Sequence, residues 1–150
     1  MNAAKPSIRE IGAAERAEWE PLWRGYLGFY RASQTDEAMD EAWRRIHDAG
    51  EPMHALGAYV DGRLLGIVHY LFHRSFWTTG DYCYLQDLFV SDEARGLGLG
   101  RALIEAVYER AKTAGASRVH WLTQEDNATA RLLYDRIADR SGFIQYRKMF

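Results

Sequence analysis

The sequence predicts an α/β domain of the α+β type, in which helices flank a mixed central sheet. Three observations predict this class. The apolar runs Met53–Val60 and Arg63–His73 flank Asp61-Gly62, which is a strong signal for an antiparallel hairpin. A third strand rich in aromatic residues, Tyr82–Val90, leads directly into an amphipathic helix. Helical periodicity also precedes the hairpin and recurs near the end of the chain, so both faces of the sheet have helices to cover them.

The part of the chain before the hairpin predicts one strand and two helices. Residues 6–11 alternate weakly, as in a strand. Residues 13–31 predict a helix, in which Gly25 and Gly28 are typical of a bend. Residues 37–49 predict a second helix, which begins after Thr35-Asp36 and ends at Gly50.

The part after the third strand predicts two more helices and two more strands. Residues 98–114 carry one apolar stripe and end at Gly115, as expected of a helix. Residues 118–123 predict a strand, 127–137 a helix and 143–149 a final strand. A rudimentary strand at 137–139 would bring the total from six to seven. The expected architecture is therefore a mixed sheet of 6–7 strands with four helices.

Composition limits the class of protein. The 150 residues are 47% hydrophobic and 27% charged, which predicts one globular domain over 1–150. No apolar run approaches the roughly 18 residues that span a bilayer, and residues 1–10 do not resemble a signal segment, so we expect a cytoplasmic protein without a membrane partner. Cys83 is the only cysteine, which excludes internal disulfides and multi-cysteine zinc sites; we expect no metal. A net charge of −2 without a lysine-rich patch disfavours nucleic acid as a partner.

A glycine-rich turn between a strand and a helix is the most informative segment. Glycines let the backbone approach a ligand closely, and the first turn of a helix has free N–H groups at the positive end of its dipole. Phosphates bind readily at such a position, and Arg95 and Arg101 add positive charge there. The segment therefore predicts a site for a pyrophosphate.

Two common pyrophosphate motifs do not fit this turn. The pattern G-x-G-x-x-G requires a third glycine where the chain has Arg101 or Leu103, and no Gly-Lys-Ser/Thr is present. The motif Arg-Gly-Leu-Gly-Leu-Gly instead resembles the R/Q-x-x-G-x-G/A signature of the GNAT N-acetyltransferase superfamily. The resemblance implies a GNAT-like acyl-CoA N-acyltransferase fold. It also implies that the pyrophosphate of acetyl-CoA, the co-substrate, binds at this turn, at Arg95, Gly96, Leu97, Gly98, Leu99, Gly100 and Arg101.

A second motif lies on the predicted helix 127–137. Asn127-Ala128-Thr129-Ala130-Arg131-Leu132-Leu133-Tyr134 resembles the N-x-x-A-x-x-x-Y helix of the same family. The resemblance implies that Asn127 and Ala130 lie along the pantetheine arm and that Tyr134 is the catalytic acid beside the sulfur. A phenol has an ordinary pKa of about 10, so it holds its proton at neutral pH. Because a thiolate is the weaker base, with a thiol pKa near 8.5, Tyr134 would mainly donate a hydrogen bond to the sulfur as charge builds there, up to full transfer.

The strand before the turn resembles one branch in particular. Tyr84-Leu85-Gln86-Asp87 is similar to the Tyr-Leu-Glu-Asp of spermidine/spermine acetyltransferases and of the fungal histone/polyamine-type enzymes. By that resemblance, the backbone of Leu88, Phe89 and Val90 pairs with pantetheine like an added strand. The implied reaction is direct transfer of the acetyl group to a primary amine, with a small-molecule amine, polyamine or amino acid favoured over a protein lysine.

The general base stays open. Gln86 stands where the branch has glutamate, and an amide cannot accept a proton at useful pH. Asp87 is adjacent, but neighbouring strand residues face opposite ways unless a bulge intervenes. His69 and His73 share a strand face and His120 lies on another strand, and a histidine titrates near neutral pH.

The acceptor site is predicted from aromatic and polar side chains. Trp19, Trp23, Tyr26 and Tyr30 recur at helical spacing, which fits either a cation-binding wall or a core stripe. The candidate substrate residues are Trp23, Tyr26, Gln86 and Asp87, and Trp77 is a candidate cover in the loop 74–81.

Three further interpretations concern partners and function class. Because a single strand long enough to complete the sheet follows the last helix, we expect an open edge and a homodimer that covers it. A non-catalytic acyl-CoA-binding or sensing module is an alternative that Gln86 favours and Tyr134 opposes. A structural or interaction domain, in which the glycines only close a helix, is the third interpretation. Binding of CoA would distinguish this class from the other two function classes.

Overall fold

A computed structural model describes residues 5–150 of the chain. One five-stranded sheet has the strand order β1-β2-β3-β4-β5; β1 to β4 are antiparallel neighbours, and β5 lies parallel to β4. The strands are β1 (Ser7–Glu10), β2 (Met53–Val60), β3 (Arg63–His73), β4 (Tyr82–Val90) and β5 (Val119–His120). The helices are α1 (Arg16–Phe29), α2 (Asp36–Ile46), α3 (Leu99–Thr113) and α4 (Ala128–Ile137).

The hairpin β2–β3 has the predicted turn. Val60 pairs with Arg63, and both intervening residues, Asp61 and Gly62, have positive φ values of 51° and 78°. This backbone matches the twist of the two strands, which explains why Asp-Gly is favoured between them. The turn therefore sets the register in which β2 and β3 pair.

The sheet separates two apolar cores. On one face, α3 packs against the sheet through Leu99, Leu103, Ile104 and Val107, which are fully buried. On the other face, α1 and α2 contribute Trp19, Leu22, Trp23 and Met39 to a second core. Side chains of β4 reach both cores, so the strand that carries the expected acetyltransferase motif lies between two packed layers.

The strand count differs from the prediction. Within residues 5–150 there are five strands rather than six or seven. Residues 139–150 form no strand, and their large apolar side chains are exposed; Phe143, for example, is 90% exposed. Alternating apolar residues favour a strand only where a neighbouring strand pairs with them, and no element of the described chain does so here.

Two smaller expectations also differ. Strand β5 is limited to Val119–His120 rather than 118–123, because the chain pairs with β4 only at Cys83 and Tyr84 and then diverges. Helix α1 continues through Gly25 and Gly28. None of the helices described over residues 5–150 combines the length and the apolar character needed to cross a bilayer.

Candidate active site

The glycine turn leads from β4 into α3 with a backbone that requires glycine. A single 3-10 turn, Asp92–Ala94, follows β4, and Gly96 and Gly98 then have φ values of 80° and 73°. This left-handed conformation is unfavourable for residues with a Cβ. Gly98 is the N-cap of α3, and a Cβ built at either glycine would meet no atom within 4 Å. The turn therefore presents open backbone to a ligand at the positive end of a helix.

The two arginines of the turn are paired with carboxylates of the chain. Arg95 contacts Asp92 at 2.7 Å, and Arg101 contacts Glu105 at 2.8 Å. All four side chains are exposed, and exposed ion pairs contribute little free energy. Either arginine can therefore exchange its partner for a phosphate at small cost.

A gap between β4 and β5 continues from the turn. Cys83 donates its N–H to the carbonyl of Arg118, whereas Ser91 donates to the carbonyl of Leu65 on β3. Counting from these two bonds through the strand places the amides of Leu88 and Val90 toward the gap and that of Phe89 toward β3. Beyond Tyr84, β5 supplies no partner, so this edge of β4 is free to pair with an extended ligand.

A β-bulge at Gln86 changes the alternation of side chains in β4. His69 pairs with Asp87 while Tyr70 pairs with Leu85, so Gln86 is the extra residue. As a result Gln86 and Asp87 both face the helix α1 side, and both line the same two cavities. The bulge therefore places two consecutive polar side chains at one site.

The carboxylate of Asp87 is the centre of that site. Its Oδ2 lies 3.0 Å from Nδ1 of His69, and the side chain is only 13% exposed. Its negative charge raises the pKa of three nearby tyrosines, in each case after the larger effect of burial; these are Tyr26, Tyr30 and Tyr84. Three phenol groups and one imidazole thus surround a single carboxylate.

Two cavities meet at Gln86 and Asp87. The first, of about 530 Å³, lies between α1, α2 and the sheet and is lined by residues that include Trp23, His69, Glu37 and Glu41. The second, of about 470 Å³, is lined by Tyr26, Tyr30, Tyr84, residues 122–124, Gln145 and Arg147. Both volumes are in the range of small-molecule sites.

The aromatic stripe of α1 is divided between core and site. Trp19 is fully buried, and Trp23 is 7% exposed at the wall of the first cavity. Tyr26 and Tyr30, farther along the helix, line the second cavity. Trp77 is 88% exposed and lines neither cavity, so the structure does not bring it to the site.

Helix α4 places Tyr134 at the edge of the same region. Its ring packs edge-on against Trp121 with centroids 5.3 Å apart. Burial, and then the neighbouring Tyr30, raise the pKa of Tyr134, so its phenol keeps its proton to higher pH than usual. Asn127 is the N-cap of α4 and donates to the hydroxyl of Thr123 at 3.4 Å, and Ala130 is half-buried one turn on.

The other nucleophile and base candidates have different environments. Burial raises the pKa of the Cys83 thiol to about 11, which keeps it protonated. His73 contacts the carbonyl of Arg74 at 2.8 Å near the end of β3. His120 stacks on Tyr84, and burial lowers its pKa. In residues 5–150, no group of three or more His, Cys, Asp or Glu is placed to hold a metal ion.

Sequence reasoning did not single out several residues of the site. Tyr84 is one of them, although it lies two residues before Gln86 on one strand face; Tyr30 was already part of the aromatic stripe expected from the sequence. Glu37 and Glu41, which lie one turn apart on α2, could have been found as an acidic pair facing a cationic ligand. Gln145 and Arg147 carry no such signal, since their position depends on the path of the irregular C-terminal residues.

Comparison with known proteins defines the class. The Acetyltransferase (GNAT) family matches residues 19–138. The D-amino-acid N-acetyltransferase HPA3 of Saccharomyces cerevisiae is 32% identical over 143 residues, which cover 94% of this chain and 89% of the relative. A thialysine N-epsilon-acetyltransferase of Caenorhabditis elegans is 28% identical over 85 residues, or 57% of this chain and 52% of the relative.

The solved structures agree on the fold. The structure of AAC(6')-Iy in complex with the bisubstrate analog CoA-S-monomethyl-acetylneamine superimposes with a TM-score of 0.83, at 19% identity and over 98% of this chain and 100% of the other. The chain therefore belongs to the GNAT family of acetyltransferases. It is an N-acetyltransferase of the acetyl-CoA-dependent type.

Proposed function

We propose that this enzyme transfers the acetyl group of acetyl-CoA directly to a primary amine of a small molecule. The observation that carries the proposal is the bulge at Gln86, which brings Gln86 and Asp87 side by side at two cavities of small-molecule size beside the free edge of β4. Small amine-bearing molecules are also what the relatives named above act on, according to their names. We favour a small molecule over a protein lysine because both cavities have the volume of a small-molecule site.

The chain's own residues fit acetyl-CoA along one line. The open backbone at Gly96, Gly98 and Gly100 and the exchangeable Arg95 and Arg101 suit the pyrophosphate. The free amides of Leu88 and Val90 suit the amide-bearing pantetheine arm, with Phe89 holding the strand against α1. Asn127 and Ala130 on α4 would border the same arm. When bound, acetyl-CoA supplies an activated acetyl thioester.

Tyr134 is the proposed acid. An acceptor that binds as an ammonium ion first releases one proton to water, which frees the lone pair of its nitrogen. A new C–N bond then forms as the C–S bond breaks, so the amine nitrogen loses one further proton and the sulfur gains one. The buried phenol of Tyr134 holds its proton to high pH and can donate it, or a hydrogen bond, to the sulfur. One of the gap-facing amides, Leu88 or Val90, can hydrogen-bond the thioester oxygen as negative charge develops. Gln86 can hold a water that removes the proton of the amine.

Calorimetric titration with acetyl-CoA, followed by an amine panel, tests the proposal. The panel contains a D-amino acid, thialysine, 1,4-diaminobutane and a lysine-containing peptide, with release of the CoA thiol as readout. We expect acetyl-CoA to bind and at least one small amine to be acetylated faster than the peptide. Failure of the folded protein to bind acetyl-CoA, or turnover of the peptide alone, would contradict the proposal.

We also propose that the enzyme is a homodimer in which the C-terminal segment, residues 139–150, packs on a second copy. Five large apolar side chains of this segment are exposed: Phe143, Ile144, Tyr146, Met149 and Phe150. Beyond Val119–His120, β5 offers no further pairing in the described chain and leaves a sheet edge open. A two-fold dimer would give each segment and each edge a partner.

Sedimentation velocity tests the dimer. We expect the wild-type chain to sediment at twice its 17.3 kDa mass, and a Phe143→Ser/Tyr146→Ser variant to sediment as a monomer. Phe76→Ser is the matched control, because Phe76 is an exposed apolar residue outside the segment and its replacement should leave the dimer intact. A monomeric wild-type protein at micromolar concentration would refute the dimer.

A further inference from the structure

We propose that His69 is a positioning residue that holds the carboxylate of Asp87 in place, and that this carboxylate binds the amine group of the acceptor. The nature of the ligand rests on the proposed function. The arrangement of Trp19, His69 and Asp87 is a property of the fold and stands apart from it.

The hydrogen bonds of His69 determine its tautomer. The indole Nε1 of Trp19 lies 3.0 Å from Nε2 of His69, and an indole nitrogen can only donate. Nε2 must therefore be the acceptor, so the hydrogen of the neutral imidazole is on Nδ1. Nδ1 lies 3.0 Å from Oδ2 of Asp87, so His69 donates to the carboxylate. A fully buried tryptophan thus directs the N–H of His69 toward Asp87.

The ring of His69 has little freedom to leave this orientation. Its centroid lies 4.9 Å from Trp23 and 5.9 Å from Trp19, so aromatic rings pack around it. A flip of the ring would place carbon atoms against the indole N–H and against the carboxylate, with loss of both hydrogen bonds. Held in this way, His69 orients a carboxylate that lines both cavities.

The groups around Asp87 leave its negative charge without a permanent cation. His69 on β3, Tyr26 and Tyr30 on α1, and Tyr84 on β4 face it. Within the described residues the only ion-pair partner of Asp87 within 4.0 Å is His69, which lacks a permanent charge. Arg147 borders the second cavity but forms no such pair with Asp87.

A carboxylate that is 13% exposed and lacks a permanent cation is unfavourable unless a partner supplies positive charge. A primary amine at neutral pH is an ammonium ion with three N–H donors, so it can supply the positive charge that Asp87 lacks nearby. Tyr26, Tyr30 and Tyr84 line the same cavity, and aromatic rings attract a cation that contacts their faces. Asp87 therefore takes the anchoring role that Gln86, as a neutral amide, lacks.

Nitrogen NMR of the full-length chain, labelled at histidine, tests the arrangement without any need for activity. We expect Nδ1 of His69 to be protonated and Nε2 to be unprotonated at neutral pH. Butylamine should shift the ring resonances of His69, and butanol, which has the same length and no charge, should not. In Asp87→Asn the shift with butylamine should disappear. An Nε2–H tautomer, or a shift that does not depend on Asp87, would overturn the proposal.

Kinetics with an amine of the panel separates positioning from packing. We expect Asp87→Asn and His69→Phe each to raise the KM for the amine about tenfold, while the Kd for acetyl-CoA stays unchanged. His69→Asn keeps an N–H near the place of Nδ1 and should recover most of the loss. If His69 serves only to fill space, His69→Phe will keep a wild-type KM and His69→Asn will be the poorer enzyme.

The two proposals can fail separately. A wild-type protein that acetylates no amine contradicts the proposed function, whereas the NMR titration still decides whether Asp87 binds an ammonium group. Conversely, an active enzyme with the other tautomer of His69 refutes the positioning role alone.

Discussion

The ring of Phe89 occupies the space beside Gly25 that a side chain would need. A Cβ built on Gly25 would lie 2.8 Å from two carbon atoms of this ring. Glycine in the middle of α1 therefore allows the helix to approach β4 closely, at the strand that borders the active site. The contact also explains why the helix continues through a residue that disfavours helices.

Gly25→Ala should destabilise the protein. The new methyl group forces the ring of Phe89 or the helix to move, which costs about 1–3 kcal/mol, against a helix-propensity gain of up to about 1 kcal/mol. Gly28→Ala in the same helix is the control, since a Cβ there meets no atom within 4 Å and should be neutral or stabilising. Urea unfolding of the two variants measures the difference. Equal stabilities would show that α1 does not need this close approach.

Gly98→Ala should weaken acetyl-CoA binding about tenfold or more, because the methyl group enters the open space above the turn and strains its backbone. Gly115→Ala is matched in strain, since its φ of 80° is also positive and lies beyond the other end of α3. Each change should cost roughly 1–2 kcal/mol of stability. Calorimetry should find weaker binding for Gly98→Ala alone; the same loss in both variants would indicate a general effect of strain.

Tyr134→Phe should lower kcat by about 10²-fold and leave the Kd for acetyl-CoA within about twofold. Burial raises the pKa of Tyr134, so any loss of kcat through its ionisation should occur at a higher pH than for an ordinary phenol. This alkaline limb should be absent in Tyr134→Phe. Tyr108→Phe, which removes a hydroxyl that donates to the carbonyl of Ile137, should affect stability and not kcat. A fully active Tyr134→Phe would assign the acid elsewhere.

Acid stability should depend on Glu15. Its hydrogen bond with Arg9, followed by those with the amide of Gly12 and with Tyr59, lowers the pKa of Glu15 to about 2 in the folded protein. A lowered pKa stabilises the fold above the unfolded value near 4.5, and this contribution is lost as the pH falls toward 2. Glu15→Gln should therefore lower the free energy of unfolding by about 2 kcal/mol at pH 7 and change it little at pH 2. Urea unfolding at both pH values measures the difference.

The control for that prediction is Glu109→Gln. Glu109 forms an exposed ion pair with Lys112 at 3.3 Å, and such pairs contribute little. The free energy of unfolding of Glu109→Gln should equal that of the wild-type protein at both pH values. If Glu15→Gln also follows the wild type, the carboxylate of Glu15 is not a stabilising group.

Local rules were sufficient where local chemistry determines structure. The strands Met53–Val60, Arg63–His73 and Tyr82–Val90 have the predicted bounds, because Asp61-Gly62 defines the hairpin and the pattern of each strand is continuous. The glycine turn and its helix also lie where the motif placed them, since positive φ values restrict the choice of residue. The family itself was recognisable from these few positions.

The remainder depends on contacts between distant residues. The prediction of a strand at 143–149 was wrong, because an alternating pattern carries no information about whether a partner strand is adjacent. The bulge at Gln86 arises from the pairing of β4 with β3. The alternation of residues along the strand therefore could not decide whether Asp87 and Gln86 lie on the same face of the sheet. The bond between Trp19 and His69 joins residues 50 positions apart and has no local signature.

The extra residue in β4 also determines which changes of length the strand can accept. Without Gln86 the alternation becomes regular, yet Asp87, Leu88, Phe89 and Val90 keep the faces that they have now. Strands ordinarily reject a one-residue deletion because every following side chain changes face. Here the deletion would restore an uninterrupted ladder and spare the register of both cores. A chain shortened at this position should therefore fold, while losing the local distortion that sets two polar groups side by side at the proposed acceptor site. On the proposed function, this one residue of length in the strand is required by the site and not by the fold.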